Sequence, residues 1–252
     1  MKWDAEKYSS VCGAITNNGK NLVSIVEQKG CMKVLDVGCG TGVLTNDIAA
    51  FTEEVIGIDS SKEMIKKAKE NYSNIEFATL DVLESNWVDY FDCVFSNAVF
   101  HFIKEQDRLL KVINTALKPN GYLIAEFGAD GNLKEILKAV EKSCGKHKKE
   151  FTNRFFYPSK EEYFLLLGKH GFCNMEITLN DVLTPLVGED GLRNWLDVAF
   201  SVEMGWFSGT EKDEVYMEIE DAVRDTHYIN DGWFVHNKRI RVVAQKRLQK
   251  SL

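Results

Sequence analysis

Hydrophobic positions along the chain follow two rhythms. Five short, largely apolar runs (Val34–Val37, Val55–Ile58, Ile75–Ala78, Phe91–Phe95 and Tyr122–Phe127) are too short for helices and lack the strict alternation of a half-exposed sheet. Between them, apolar residues return every three or four positions. Leu44, Ile48 and Phe51 form one stripe, and Leu109, Ile113, Ala116 and Leu117 form another. Buried strands alternating with amphipathic helices predict an α/β fold, a parallel sheet with helices on both faces. Ser60 followed by Glu63 is a capping-box pattern, so the second strand is expected to end on a helix with Met64, Ala68 and Tyr72 on its inner side. Pro119-Asn120-Gly121 predicts a break before the fifth run.

The same rhythms continue more loosely in the second half. After a lysine-rich connector around Gly145–Lys149, Pro158-Ser159 with Glu162 predicts a helix start, and Lys169-His170-Gly171 predicts its end. Strands fit Met175–Leu179 and Arg239–Ala244, with roughly 60 residues between them. A structureless loop of that length does not suit a compact domain. Two helical stripes fill it: Leu192, Trp195, Leu196, Ala199 and Phe200, then Val215, Ile219, Ala222 and Val223.

Composition narrows the class. The 252 residues are 44% hydrophobic and 27% charged, an ordinary globular balance, with a net charge of −7. An acidic chain is a poor general nucleic-acid binder, because such binding rests on basic groups neutralising phosphates. Most of the charge lies in residues 1–130, which carry a net −6. Asp4 and Glu6 interrupt the start of the chain, and no later segment offers about 18 uninterrupted apolar residues, so a cytoplasmic location away from membranes is expected. The six cysteines show no C-x-x-C pair and no histidine at zinc-ligand spacing, so they read as free thiols and no metal is expected.

The chemistry concentrates in Val34-Leu35-Asp36-Val37-Gly38-Cys39-Gly40-Thr41-Gly42, a buried strand ending in three glycines that lead into a helix. Glycines there let the backbone approach a ligand, and the helix start presents unpaired N–H groups. The spacing is G-x-G-x-G, not the G-x-G-x-x-G of dinucleotide sites, and no G-K-[ST] follows as in a phosphate-binding loop. Asp36 would sit badly beside a pyrophosphate but well beside an amino group or a sulfonium, which points toward S-adenosylmethionine. Asp59 closes the second strand, where an acid accepts hydrogen bonds from ribose hydroxyls. Asp81, after the third strand, suits an exocyclic adenine amine, with Leu80 and Val82 flanking the ring.

With these residues in place, the sequence resembles the class I S-adenosylmethionine-dependent methyltransferases. VLDVGCGTG is similar to that family's glycine motif, VIGIDSS to its ribose-binding motif and ATLDV to its adenine-binding motif. FDCVFSNAVFHFI resembles its fourth strand and the segment lining the reaction site, and LKPNGYLIAEF the turn into its fifth strand. NAVFHFI, FYPSKEEYFLLLGKHGF and the long insertion more loosely resemble the trans-aconitate and malonyl-acyl-carrier-protein O-methyltransferase group. The resemblance implies a Rossmann-like, seven-stranded, mostly parallel sheet with the last strand antiparallel and a helical insertion before it. It implies one methyltransferase domain over 1–252, with an N-terminal helical lid at 1–30, a cofactor half at 31–130, and an acceptor half at 131–252 whose insertion spans about 181–230. It further implies cofactor contacts from Tyr8, Asp36, Gly38, Cys39, Gly40, Gly42, Asp59, Ser60, Met64, Leu80, Asp81, Val82 and Asn97.

At the acceptor, His101 is the candidate catalytic residue, a base if the acceptor must lose a proton and a packed histidine otherwise. Glu126, Arg154, Tyr157, Trp206 and Trp233 are the candidate substrate contacts; Trp195 and His236 have weaker claims, since aromatics at helical spacing usually fill cores. The expected activity is methylation of a small molecule, an O-methylation of a carboxylic acid or carrier-linked acyl group. RNA or protein methylation, or cofactor binding without catalysis, are the alternatives. N-P-P-[YFW] does not follow the fourth strand, which disfavours base methylation, but the basic end (Lys238, Arg239, Arg241, Lys246, Arg247, Lys250) leaves RNA or an acidic carrier open beside a merely solvated edge.

Overall fold

The computed structural model describes residues 13–248. Strands β1 (Lys33–Val37), β2 (Glu54–Asp59), β3 (Glu76–Thr79), β4 (Phe91–Asn97) and β5 (Leu117–Gly128) are linked by helices, with α1 (Gly13–Gln28) ahead of them. Helices α2 (Val43–Ala49), α3 (Lys62–Asn71) and α4 (Gln106–Ala116) follow β1, β2 and β4. Then come α5 (Lys134–Lys146), α6 (Lys160–Lys169), β6 (Phe172–Pro185), α7 (Gly191–Ala199), α8 (Ser201–Met204), α9 (Gly209–His227), β7 (Tyr228–Ile229) and β8 (Gly232–Lys246). The strand order is β3-β2-β1-β4-β5-β8-β6, with β7 paired to the start of β8. Strands β1 to β5 are parallel, and β8 runs antiparallel between β5 and β6. The expected mostly parallel sheet of seven strands, with its final strand reversed and helices inserted before it, is the architecture found.

Alternation along each strand builds two cores. Val34, Phe95, Ile124 and Val243 pack with Leu22 and Val26 of α1 and Ile48 of α2 on one face. Leu35, Val37, Val94 and Val242 pack with Leu109 and Ile113 of α4 and Tyr163 of α6 on the other. A third core lies over the C-terminal ends of the strands. There Ile136 and Val140 of α5, Leu196 of α7, Ile219 and Val223 of α9 and Trp233 and Val235 of β8 bury one another.

Several expectations shift. The cap of α3 is Ser61, not Ser60: the Asp59 carboxylate accepts the Ser61 N–H, so the chain stays extended one residue longer, and the Ser61 hydroxyl accepts the Met64 N–H. Pro119-Asn120-Gly121 does not precede β5 but bulges within it, since Phe91 pairs with Leu117 and Cys93 next with Tyr122, with Asn120 at φ 64°. The ribbon of β6 and β8 outruns Met175–Leu179 and Arg239–Ala244, so Asp181–Pro185 are strand and the inserted helices begin at Gly191. The described part of α1 packs on the sheet through Leu22, Val23 and Val26. Ser159, by contrast, caps α6 as its spacing predicts, accepting the Glu162 N–H.

Candidate active site

The parallel order reverses direction between β1 and β4, and a crevice opens above the strand ends at such a point. The third core roofs it. The resulting cavity has a volume of about 500 Å³, within the range of small-ligand sites.

One end of the cavity is built by β1, β2 and β3. Gly38, Gly40, Asp59, Ser60, Met64, Leu80, Asp81 and Val82 all line it. Gly38 is at φ 73°, and a Cβ there would come within 2.2 Å of a Val99 methyl, so a side chain would distort the loop. A Cβ on Gly40 would meet nothing within 4 Å, which leaves this loop open to a ligand. The Asp59 carboxylate accepts the N–H groups of Gly40 (3.1 Å) and Ser61 (2.8 Å), locking the loop to the end of β2. Burial raises its pKa against those two bonds. Asp81 caps the short turn Val82–Glu84 through the Leu83 N–H.

Two loop residues and one acid stand elsewhere. Cys39 and Gly42 do not line the cavity; a Cβ on Gly42 would strike the Phe77 and Tyr72 rings, so that glycine serves packing. Burial and the Asp36 and Asp59 charges push the Cys39 thiol up, away from reactivity. Asp36 is 2% exposed and does not line the cavity. Alternation turns it to the α2 side of the sheet, where its carboxylate accepts the Thr45 hydroxyl at 2.6 Å. Desolvation pushes its carboxyl up to about 7. Tyr8 lies outside the described residues.

The other end is lined by Asn97, His101, Phe102, Gly128, Asn132, Arg154, Phe155, Tyr157, Trp195, Val198, Ala199, Val202, Asn237 and Arg239. His101, Arg154 and Tyr157, candidates at the acceptor, thus line one cavity. Arg154 donates to Glu203 (2.9 Å) and to the Ala199 carbonyl (3.1 Å), tying this wall to the helical roof. Burial raises the pKa of the Tyr157 hydroxyl. Asn97 accepts from Arg239 at 3.0 Å.

Three substrate candidates fall outside the cavity. Glu126, 3% exposed, instead bridges Arg239 (2.9 Å) and Arg241 (2.7 Å). Glu126 lies across from Arg241 and Gly128 across from Arg239, so all four share one face of the sheet. Trp233 fills the third core against Tyr228, and Trp206, 36% exposed, sits at the surface beside Phe207. His236 bonds the Thr226 carbonyl away from the site. The basic end is mostly not a free patch. β8 is an interior strand, Arg239 and Arg241 meet Glu126, and Lys246 meets Asp89 and the Leu117 carbonyl.

Arg239, Asn237, Asn132 and Phe155 are lining residues that sequence reasoning missed. For Arg239 a signal existed: two arginines at alternate positions of the apolar run Arg239-Ile240-Arg241-Val242-Val243-Ala244 must share a face, and an interior face demands a counter-charge.

Comparison with known proteins agrees with this architecture. A family model for a methyltransferase domain matches residues 28–203, and the chain belongs to that family, the S-adenosylmethionine-dependent methyltransferases. An uncharacterized methyltransferase of Schizosaccharomyces pombe is 30% identical over 97% of this chain and 98% of its own length. A trans-aconitate 2-methyltransferase of Methylobacterium nodulans is 26% identical over 77% of this chain and 78% of its own. A malonyl-[acyl-carrier protein] O-methyltransferase of Calditerrivibrio nitroreducens is 32% identical over 46% and 48%. Among solved structures, the YcgJ protein of Bacillus subtilis shares the fold with a TM-score of 0.63 at 16% identity, covering 91% of this chain and 99% of that one. No helix of the described residues is long and apolar enough to cross a membrane.

Proposed function

We propose that this enzyme methylates a carboxylate oxygen of a small organic acid or carrier-linked acyl group. The observation that carries this reading is the charge of the cavity wall. Its carboxylates, Asp59 and Asp81, both line the glycine-loop end, while among the described lining residues the opposite end carries the guanidinium groups of Arg154 and Arg239; Glu203 and Glu126 pair with them from behind the lining, and Arg241 beside Glu126 leaves that cluster one positive charge in excess. A cationic, hydroxyl-rich cofactor suits the first end, and an anionic acceptor suits the second. The trans-aconitate and malonyl-carrier relatives support the same reading by their names.

The glycine-loop end fits S-adenosylmethionine: Gly40 leaves room for close approach, Asp59 keeps carboxylate lone pairs for ribose hydroxyls, and Leu80 and Val82 flank Asp81 as an adenine slot requires. Asn97, on the wall of the other end, would contact the methionine portion. Bound there, the cofactor supplies an electrophilic methyl group. The chain's own work is to orient an acceptor oxygen toward it, in a part of the cavity whose walls include the apolar side chains of Phe155, Trp195 and Val198.

The test is turnover with methyl-labelled cofactor against a panel of di- and tricarboxylic acids, acyl-carrier thioesters, amines, phenols and RNA. Labelled ester that is released by mild alkali is the expected product. Label entering only amines, phenols or RNA would refute the reading.

A further inference from the structure

His101 is fixed at two points. Its backbone carbonyl accepts the Phe156 N–H at 2.8 Å, and its ring Nδ1 accepts the Gly128 N–H at 3.2 Å. A backbone amide only donates, so Nδ1 presents its lone pair and the ring proton belongs on Nε2. A second proton, on Nδ1, would set two donors against each other. Gly128 makes this contact possible: a Cβ there would lie 2.4 Å from the Tyr157 ring, so only glycine lets Tyr157 and His101 close over the end of β5. Phe102, Phe155 and Tyr157 pack around the imidazole with centroids 4.3, 6.1 and 5.8 Å away. The charged groups around this part of the cavity are Arg239 from β8, paired with Glu126 of β5, and Arg154 from the segment before α6, paired with Glu203 of α8, and the Tyr157 hydroxyl is the other titratable neighbour. Burial, then the Arg239 charge, push the imidazole down to about 3.

We propose that His101 acts as a fixed hydrogen-bond donor through Nε2–H, not as a general base, so that the enzyme accepts only groups that are already anionic when they bind. The inference rests on the acceptor reading above and narrows it. A carboxylate oxygen attacks with its own lone pair; the new C–O bond forms as the C–S bond breaks, and that electron pair stays on sulfur. The negative charge of the acceptor and the positive charge of the sulfonium cancel, and no proton is left to remove. A neutral alcohol or an ammonium group would have to shed a proton, and His101 has no free lone pair to take it. The Nε2–H bond instead holds one carboxylate oxygen, which orients the other toward the methyl group.

Long-range proton–nitrogen NMR spectra of the full-length protein test this without turnover. The His101→Gln variant assigns the signal by its loss among the five histidines. The expected pattern is the Nε2–H tautomer, unchanged from pH 8 to pH 5. An Nδ1–H pattern, or a titration midpoint above pH 6, overturns the proposal. Kinetics with an accepted acid give the second readout. For the wild type, kcat/KM is expected to stay level from pH 6 to pH 8.5. His101→Gln, which keeps an N–H near the Nε2 position, should stay within about 10-fold of wild type, whereas His101→Ala should fall by up to about 100-fold, the scale of one hydrogen bond to a charged group. A wild-type limb rising tenfold per pH unit toward neutrality, and lost in His101→Gln, overturns the proposal. The two readings fail separately. Titration of His101 near neutrality while an acid is still methylated removes the donor role and leaves the acceptor reading intact. Labelling of a thiolate alone, with His101 held neutral, does the reverse.

Discussion

Replacing Glu126 with Gln isolates the buried charge triad beneath the acceptor site. Glu126 is 3% exposed and Arg239 is 5% exposed, with 2.9 Å between carboxylate and guanidinium. At an effective dielectric constant of about 20, unit charges at that separation attract by roughly 6 kcal/mol, part of which the glutamine oxygen keeps as a hydrogen bond. Arg241 is 27% exposed in its side chain and can turn to water, so most of the cost falls on Arg239, left charged between Asn97 and the Glu126 carbonyl. Breaking a buried pair by removing one partner costs about 3–5 kcal/mol. At roughly 2–4 °C per kcal/mol for a chain of this size, that lowers Tm by about 6–20 °C. Urea denaturation is the assay, because guanidinium would screen the interaction being measured. Adding Arg239→Met to Glu126→Gln should recover most of the lost stability, since an apolar replacement of a buried pair is often near neutral. A single variant within about 1 kcal/mol of wild type, or a double variant worse than either single one, would refute the reasoning.

Three other outcomes follow from the same geometry. Asp36 has a folded pKa of about 7 against an ordinary 3.8, so below pH 4 its burial costs nothing, and as pH rises toward 7 the unfolded chain gains by ionising; stability falls over that window. Asp36→Asn should remove up to about 4 kcal/mol of that loss, at 1.36 kcal/mol per pH unit, and stability-against-pH curves for wild type and variant that run parallel in the cofactor-free protein would contradict the assignment. Asp59→Asn places an amide NH₂ against the Gly40 or Ser61 N–H, and cofactor Kd should rise by at least about tenfold, the scale of one charge-assisted hydrogen bond, as read by calorimetry. Gly128→Ala drives a methyl into the Tyr157 ring and should cost about 1–3 kcal/mol of stability and raise acceptor KM while leaving cofactor Kd within a factor of about two; equal damage to both would mean the cavity's two ends are not separately built.

Much of the cofactor end was legible because its geometry is local. The β1 glycine loop, Asp59, Ser60, Leu80, Asp81 and Val82 each sit within a few residues of a strand end, and the period of the apolar runs places those ends on one edge of the sheet. Asp36 shows the limit of that logic. Its position in the motif was plain, but alternation along β1 turned its side chain toward Thr45 of α2. A motif records spacing, while the face a strand residue occupies depends on which side the helices cover.

The acceptor end was less legible because it is assembled from distant parts. His101 follows β4, Arg154 precedes α6, Trp195 lies in the inserted helices and Arg239 in the last interior strand. Glu126 and Arg239 are 113 positions apart in the chain, yet antiparallel pairing of β5 with β8 sets them on one face. Sequence alone determined the class of fold and set the glycine loop, Asp59 and Asp81 at strand ends that line the cavity, since these depend on local backbone geometry and hydrophobic period. Tertiary structure alone decided which charges are buried partners and which face the cavity, and that the Gly128 N–H meets Nδ1 of His101, since each of these depends on contacts closed across the sheet.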